Sequence, residues 1–302
     1  MRPRLPLSLR LERLDTPDGD FLDLYHLDGK AGSPLLVLLH GLEGSLRSHY
    51  IHGLLEQASR RGWSAAALLF RSCGDSLNRT RRFYHSGETT DVGFAIDHLL
   101  TTRPEAELIL AGVSLGGNVL LKYLGEREES VSSRIRAAAA VSVPYDLARA
   151  ADHINKGFAR VYQRSFIRSL QSKAIAKREQ FPDLVPRNRV ESIRSMRDFD
   201  NFITAPLHGF RDADDYYSQS SALRWLRGIR VDTLLLSAVD DPFLPAQVLD
   251  EVRAAGKSNS FLELEFTEKG GHVGFVAGRS PFRPIYYMEE RVGDFLAEHV
   301  GS

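Results

Sequence analysis

The sequence predicts a mostly parallel, doubly wound α/β sheet carrying a helical insertion. Two observations lead there. Five short, almost wholly apolar runs recur along the chain: LLVLLHG at 35–41, SAAALLF at 64–70, ELILAG at 107–112, AAAAVSV at 137–143 and VDTLLLSA at 231–238. Runs of this kind suit strands buried on both faces of a sheet covered by helices. Between them the apolar period lengthens to that of helices, as in Val92, Ile96, Leu99 and Leu100, or Val119, Leu120, Tyr123 and Leu124.

At the start of the chain, Leu9, Leu11 and Leu14, the turn TPDGD, and then Phe21, Leu22 and Leu24 predict an antiparallel hairpin at one sheet edge. FLELEF at 261–266 reads as the last strand, and a helix is expected around 286–299. Residues 145–225 break the rhythm. They hold charged helical sequence, KGFARVYQRSFIRSLQSKAIAKREQ, then FPDLVPRN and an aromatic segment ending DADDYYSQSS, with no buried strand. A stretch this long is not a loop of a compact domain. The expected organisation is a core formed by residues 1–144 and 226–302, with 145–225 inserted as a helical cap over the site.

Lys plus Arg equals Asp plus Glu at 39 each, so no net field draws the chain to nucleic acid or to an anionic membrane. Arg79, Arg81 and Arg82 read as a solvated loop. The single cysteine, Cys73, excludes an intramolecular disulfide and a multi-cysteine zinc site. MRPRLPLSLRLERLD is a poor signal peptide, broken by Pro6, Arg10 and Glu12. No window approaches the roughly 18 apolar residues of a spanning helix, and a cytoplasmic protein is expected, as monomer or homodimer. No metal or cofactor is implied, and GVSLGGN lacks the lysine and spacing of a phosphate loop.

Gly112-Val113-Ser114-Leu115-Gly116 matches G-x-S-x-G, a sharp strand-to-helix turn that exposes a strained serine. ELILA feeds into it and NVLLKYL leaves it, which is the context the motif requires. His40-Gly41-Leu42-Glu43-Gly44 follows the strand LLVLL, so the backbone N–H groups of Leu42 and Leu115 are the expected oxyanion donors; His40 reads as a hydrogen-bonding support of that loop. A serine hydroxyl needs a base within reach. Of ten histidines, His272 alone lies in a glycine-rich loop after the last strand; His49, His52 and His85 precede the serine, and His208 follows no final strand. The acid that orients the imidazole falls at Asp240 or Asp241, after the penultimate strand. The spacing D-x-x-hydrophobic-P favours Asp241, with Asp240 then capping backbone N–H groups at the strand end.

HGLEGS at 40–45, FRSCGDSLNRTRRFYHSGETTD at 70–91, GVSLGGN at 112–118, FDNFITAPLHGFRDADDYY at 199–217, AVDDPFLP at 238–245 and GGHVGF at 270–275 together resemble the YheT-like branch of the α/β-hydrolases. These are relatives of eukaryotic α/β-hydrolase domain proteins that act on lipid esters. The resemblance spans residues 30 to 295 and puts the family's triad on Ser114, Asp241 and His272. It implies a serine esterase or lipase acting on a small-molecule carboxylic ester through an acyl-enzyme, of short- to medium-chain or lipid type. An acyltransferase or thioesterase would share every motif, whereas a non-catalytic hydrolase-fold binding protein usually lacks a triad member. One departure is visible: family members often carry R-G-C-S-G where this chain has Arg71-Ser72-Cys73-Gly74-Asp75. Phe199, Phe202, Phe210, Tyr216 and Tyr217 are candidates to line an acyl pocket or simply to pack the cap.

Overall fold

The computed structural model describes residues 6–278 and 284–301; the first five residues of the basic N-terminal stretch lie outside them. Eight strands form one sheet: β1 Arg10–Asp15, β2 Phe21–Leu27, β3 Leu35–Leu39, β4 Ser64–Leu69, β5 Leu108–Val113, β6 Ile135–Val141, β7 Asp232–Ala238 and β8 Leu262–Thr267. Their order is β1-β2-β4-β3-β5-β6-β7-β8. The pairs β1–β2 and β2–β4 are antiparallel and all the others parallel. The expected edge hairpin is therefore present, and its second strand also meets β4 in the antiparallel sense.

Side chains on a strand alternate between faces, and here the alternation divides the core in two. Val37, Leu110, Ala138 and Leu235 face the side covered by helices α2 (Thr90–Thr102), α3 (Leu115–Arg127) and α10 (Gln247–Gly256). Leu38, Ile109, Ala139 and Leu236 face α1 (His49–Arg61) and α11 (Tyr287–Glu298). Every interior residue of β3, β4 and β5 is buried, which is why these strands read as unbroken apolar runs. Helices α1 and α10, which the sequence reading did not single out, bury Tyr50, Ile51, Leu54, Leu55 and Ala58, and Val248, Leu249, Val252 and Ala255, each set at helical spacing.

Between β6 and β7 the chain is helical and contains no strand: α4 Leu147–His153, α5 Ala159–Gln180, α6 Arg187–Ser192, α7 Met196–Phe199, a π-helical turn Asp200–Thr204, α8 Ala205–His208 and α9 Ala213–Ser220. In this segment Ile167, Leu170 and Ala174 of α5 meet Val190, Ile193, Phe199 and Ile203 in an apolar cluster that Phe83 joins from the loop after β4. The loops at the carboxyl ends of β3, β5, β7 and β8 gather at one sheet edge, the crevice in which open α/β sheets hold ligands.

Candidate active site

Ser114 ends β5 and starts α3. Its φ of 55° and ψ of −120° lie in a region that side chains rarely occupy. Two glycines permit the turn. A Cβ on Gly112 would stand 2.5 Å from the carbonyl oxygen of Gly116, and one on Gly116 would stand 2.4 Å from that of Leu39. The strained serine is thus held out at the head of α3, which begins with N–H groups unpaired within the helix. The backbone N–H groups of Leu42 and Leu115 have no hydrogen-bond acceptor among the described residues. Gly41, beside them, donates its N–H to the Tyr50 hydroxyl at 2.9 Å.

His272 Nε2 lies 2.9 Å from Ser114 Oγ, and its Nδ1 lies 2.9 Å from Asp241 Oδ2 and 3.2 Å from Oδ1. Asp241 is buried and also accepts the Phe243 N–H at 2.8 Å. A carboxylate only accepts, so Nδ1 carries the proton and leaves Nε2 free to accept from the serine. The adjacent Asp240 does something else. Its Oδ1 accepts the N–H groups of Gly270 and Gly271 at 2.9 and 2.8 Å. It therefore fastens the loop that carries His272, beyond β8, rather than capping the end of its own strand. The loop is tied again by the Phe275 N–H to the Gly270 carbonyl and by His49 Nε2 to the Val273 carbonyl. The Phe243 ring sits 4.2 Å from the imidazole.

The other histidines stay away from Ser114. His40 is buried, its Nδ1 donating to the Gly41 carbonyl at 2.7 Å and its Nε2 accepting the Phe70 N–H at 3.1 Å. Burial pushes it down to about 4, so it supports the loop as a neutral ring. His52 pairs with Glu56. His85, Glu88 and His208 offer ligand atoms within 4.8 Å of one another, yet they are poorly arranged for a metal. Glu88 already accepts from Arg82 and Thr90, and His85 Nδ1 accepts the Gly87 N–H. His85 therefore turns a protonated Nε2 toward Glu88, the reverse of a metal-ligating imidazole, which donates from its far nitrogen. Burial, and then the neighbouring His85, push His208 down to about 3.

Ser114 and His272 stand where two cavities meet. The inner one, about 840 Å³ counted out to its open mouth, is walled largely by the 145–225 segment, with Leu147, Ile154, Phe166, Leu170 and Phe199 among its lining. The outer groove runs between Tyr162 and Phe166 of α5 and the glycine loop at 270–274. The aromatics of the 145–225 segment divide between tasks. Phe199, Tyr216 and Tyr217 line the inner cavity, Phe202 packs against the cluster around Ile167, Leu170 and Ile203, and Phe210 packs on the His85 and Tyr216 rings.

The sequence reading missed two features. Glu43, beside Leu42, accepts from the Tyr84 hydroxyl at 2.8 Å, from Lys173 Nζ at 2.8 Å and from the Ser169 hydroxyl; the last two belong to α5. Asp200 lines the inner cavity and accepts from the hydroxyls of Tyr217 at 2.6 Å and Thr204 at 2.7 Å. Burial raises its carboxyl to about 6, against the pull of those two hydrogen bonds. From pH 4 to 6 the folded chain therefore keeps a proton that the unfolded chain has released. The stability this contributes is complete below pH 4 and lost as pH rises through 6. Asp200→Asn imitates the protonated form, so wild-type stability relative to this variant is expected to fall by about 2 kcal/mol between pH 4 and 7. Urea unfolding at the two pH values reads this difference, and parallel behaviour would disprove it.

An eight-stranded, mostly parallel sheet with a strained serine on the strand-to-helix turn after its central strand defines the α/β-hydrolase class. The family model described as alpha/beta hydrolase fold matches residues 34–278, and the chain belongs to that family. It is 40% identical to YheT of Escherichia coli (strain K12) over 294 residues, covering 96% of this chain and 85% of that protein, which places it in the YheT-like branch. A monoacylglycerol lipase of Saccharomyces cerevisiae (strain ATCC 204508 / S288c) is 30% identical over 87% of this chain, which spans only 59% of that longer protein. Among solved structures, the Pyrococcus furiosus esterase Pf2001 superposes with a TM-score of 0.64 over 98% of this chain and 94% of its own, at 18% identity, a likeness of fold. The chain is a hydrolase of ester bonds. Among the described residues no helix is long and apolar enough to cross a membrane.

Proposed function

We propose that Ser114, His272 and Asp241 form the catalytic triad of a serine esterase that works through an acyl-enzyme on short- to medium-chain or lipid-type esters. The observation that carries this reading is the continuous hydrogen-bonded path from Ser114 Oγ through both nitrogens of His272 to the buried Asp241. Ser114 attacks the ester carbonyl while His272 takes its proton, and Asp241 stabilises the imidazolium that forms. The free N–H groups of Leu42 and Leu115 hold the oxyanion, a contact worth about 3 kcal/mol per donor in the transition state. His272 then protonates the departing alcohol, and a water activated by the same imidazole releases the acid.

The inner cavity takes the acyl chain and the outer groove takes the alcohol, because both open onto Ser114. Residues 145–225 serve as the cap that keeps water off the acyl chain. We assign the enzyme to the cytoplasm, where its one thiol, Cys73, stays buried and reduced.

A fluorophosphonate probe followed by peptide mass mapping tests the nucleophile, and a p-nitrophenyl ester series of increasing chain length tests the pocket. The expected result is a single adduct on the peptide containing Ser114, with activity peaking within the series. An adduct on another residue, or a folded protein that neither labels nor hydrolyses any member, would overturn the reading.

A further inference from the structure

The first turns of α5 expose an unusual surface. Three of the six large hydrophobic side chains that stand exposed among the described residues fall within five positions: Phe158 at 73%, Val161 at 55% and Tyr162 at 46%. They adjoin the mouth of the site. The Tyr162 ring lies 5.9 Å from that of Phe158 and 5.3 Å from that of Phe243, which in turn touches His272.

The charge around them is one-sided. Between Asp152 and Glu179 the chain contains no acidic residue and seven lysines and arginines. Lys173 and Lys177 turn inward to Glu43 and Asn78. Lys156, Arg160, Arg164 and Arg168 stand exposed and form no ion pair among the described residues. Arginines elsewhere on the surface commonly find carboxylates, as the exposed Arg187 and the half-buried Arg149, Arg197 and Arg230 do. At 100° per residue, Arg160, Arg164 and Arg168 form one rank on the helix, and Val161 and Tyr162 lie on the exposed arc beside it.

We propose that this face of α5 docks on an anionic lipid surface, with Phe158, Val161 and Tyr162 entering the headgroup boundary and Lys156, Arg160, Arg164 and Arg168 meeting the phosphates. An apolar strip flanked by unpaired cations is what holds a helix in the plane of a bilayer. Long basic side chains reach the headgroups while their stems cover apolar surface. The net charge of the whole chain is zero, so attraction comes from this local patch and weakens with salt. The docked orientation presents the site's mouth to the layer that holds a lipid ester. That last consequence rests on the proposed function, but the docking itself does not, and Ser114→Ala is a suitable background in which to measure it.

The test is co-sedimentation of the full chain with phosphatidylcholine vesicles, with and without an equal part of phosphatidylglycerol. The expected result is salt-sensitive binding to the mixed vesicles and little to the neutral ones. The triple variant Lys156→Glu/Arg160→Glu/Arg164→Glu is expected to bind roughly a hundredfold more weakly. Phe158→Ser/Val161→Ser is expected to lose binding with its charge intact. All five side chains are exposed, so unchanged thermal unfolding serves as the control for folding. A chain that ignores both vesicles, or a charge-reversed variant that binds like the parent, would overturn the proposal. So would light scattering that shows a dimer dissolved by Phe158→Ser/Val161→Ser without vesicle binding, which would give the face to a second copy of the chain.

Discussion

Ser114→Ala is expected to lower ester turnover by roughly six orders of magnitude, and Asp241→Asn by about four. The second loss follows from tautomer control. With a carboxylate at 241, Nδ1 keeps the proton and Nε2 faces Ser114 as an acceptor. An amide at 241 can donate to Nδ1 instead, which stabilises the tautomer whose Nε2 is already protonated and cannot take the serine's proton. Asp240→Ala separates the two adjacent aspartates. It removes the acceptor of the Gly270 and Gly271 N–H groups and so loosens the loop without touching the imidazole. Its expected cost is ten- to a hundredfold in kcat, on the scale of small misplacements of a catalytic group. Steady-state kinetics on one ester across the three variants reads the order. If Asp240→Ala were the more damaging of the two aspartate changes, the assignment of the triad acid would be reversed.

The second large effect is expected at Arg71. Its guanidinium is almost fully buried and binds Asp91 through two nitrogens at 2.7 Å each, Asp20 at 2.9 Å and Asp18 at 2.8 Å. Arg71→Ala leaves buried carboxylates without their cation and should destabilise the fold by about 3–5 kcal/mol, readable as a shift in the urea midpoint. Arg71→Lys should recover little, since an ammonium cannot reproduce the forked contact with Asp91. Acid should weaken the network at Asp20, whereas burial shifts the Asp91 carboxyl upward. Burial tends to raise the Asp20 carboxyl, but hydrogen bonds from Asn78, Thr80 and the Arg79 and Thr80 N–H groups outweigh it and hold it well below the ordinary aspartate range. The stability it contributes is therefore present above the unfolded-state value near 4 and lost as pH falls toward the folded one. A change below 1 kcal/mol for Arg71→Ala would mean that the network is solvated rather than structural.

This network was not legible in the sequence, although its members were in plain view. It joins residues 18, 20, 71, 78 and 91, which no local period relates. The neighbouring basic run is exposed at Arg79 and Arg81, as it reads, although each cation is paired: Arg79 with Asp15, Arg81 with Asp183, and the half-buried Arg82 with the buried Glu88. The central strands were legible because parallel strands covered on both sides must be apolar at every position. The placement of His272 was legible because chain order and flanking glycines left it little competition. Asp240 and Asp241 could be ranked but not separated, since only the loop geometry shows that one faces the imidazole and the other the backbone of its loop. Asp200 stood within a recognisable stretch, yet nothing local reveals that a π-helical turn aims its carboxyl into a cavity. Ser72 stands where the family pattern often has glycine. It adopts φ of 62°, the left-handed form that glycine takes easily, and its hydroxyl donates to Asn78 at 2.6 Å.

Glu43 joins the loop after β3 to the middle of α5. One carboxylate belongs to the loop that presents Leu42, yet it is gripped by Ser169 and Lys173 of the covering helix. The middle of α5 is in effect riveted to the wall of the inner cavity. Any parting of helix and sheet that spares the rivet has to pivot there, so it is the leading end of α5, at Tyr162, that swings. The cavity can then widen at its doorway while the corner formed by Leu42 beside Ser114 keeps its shape.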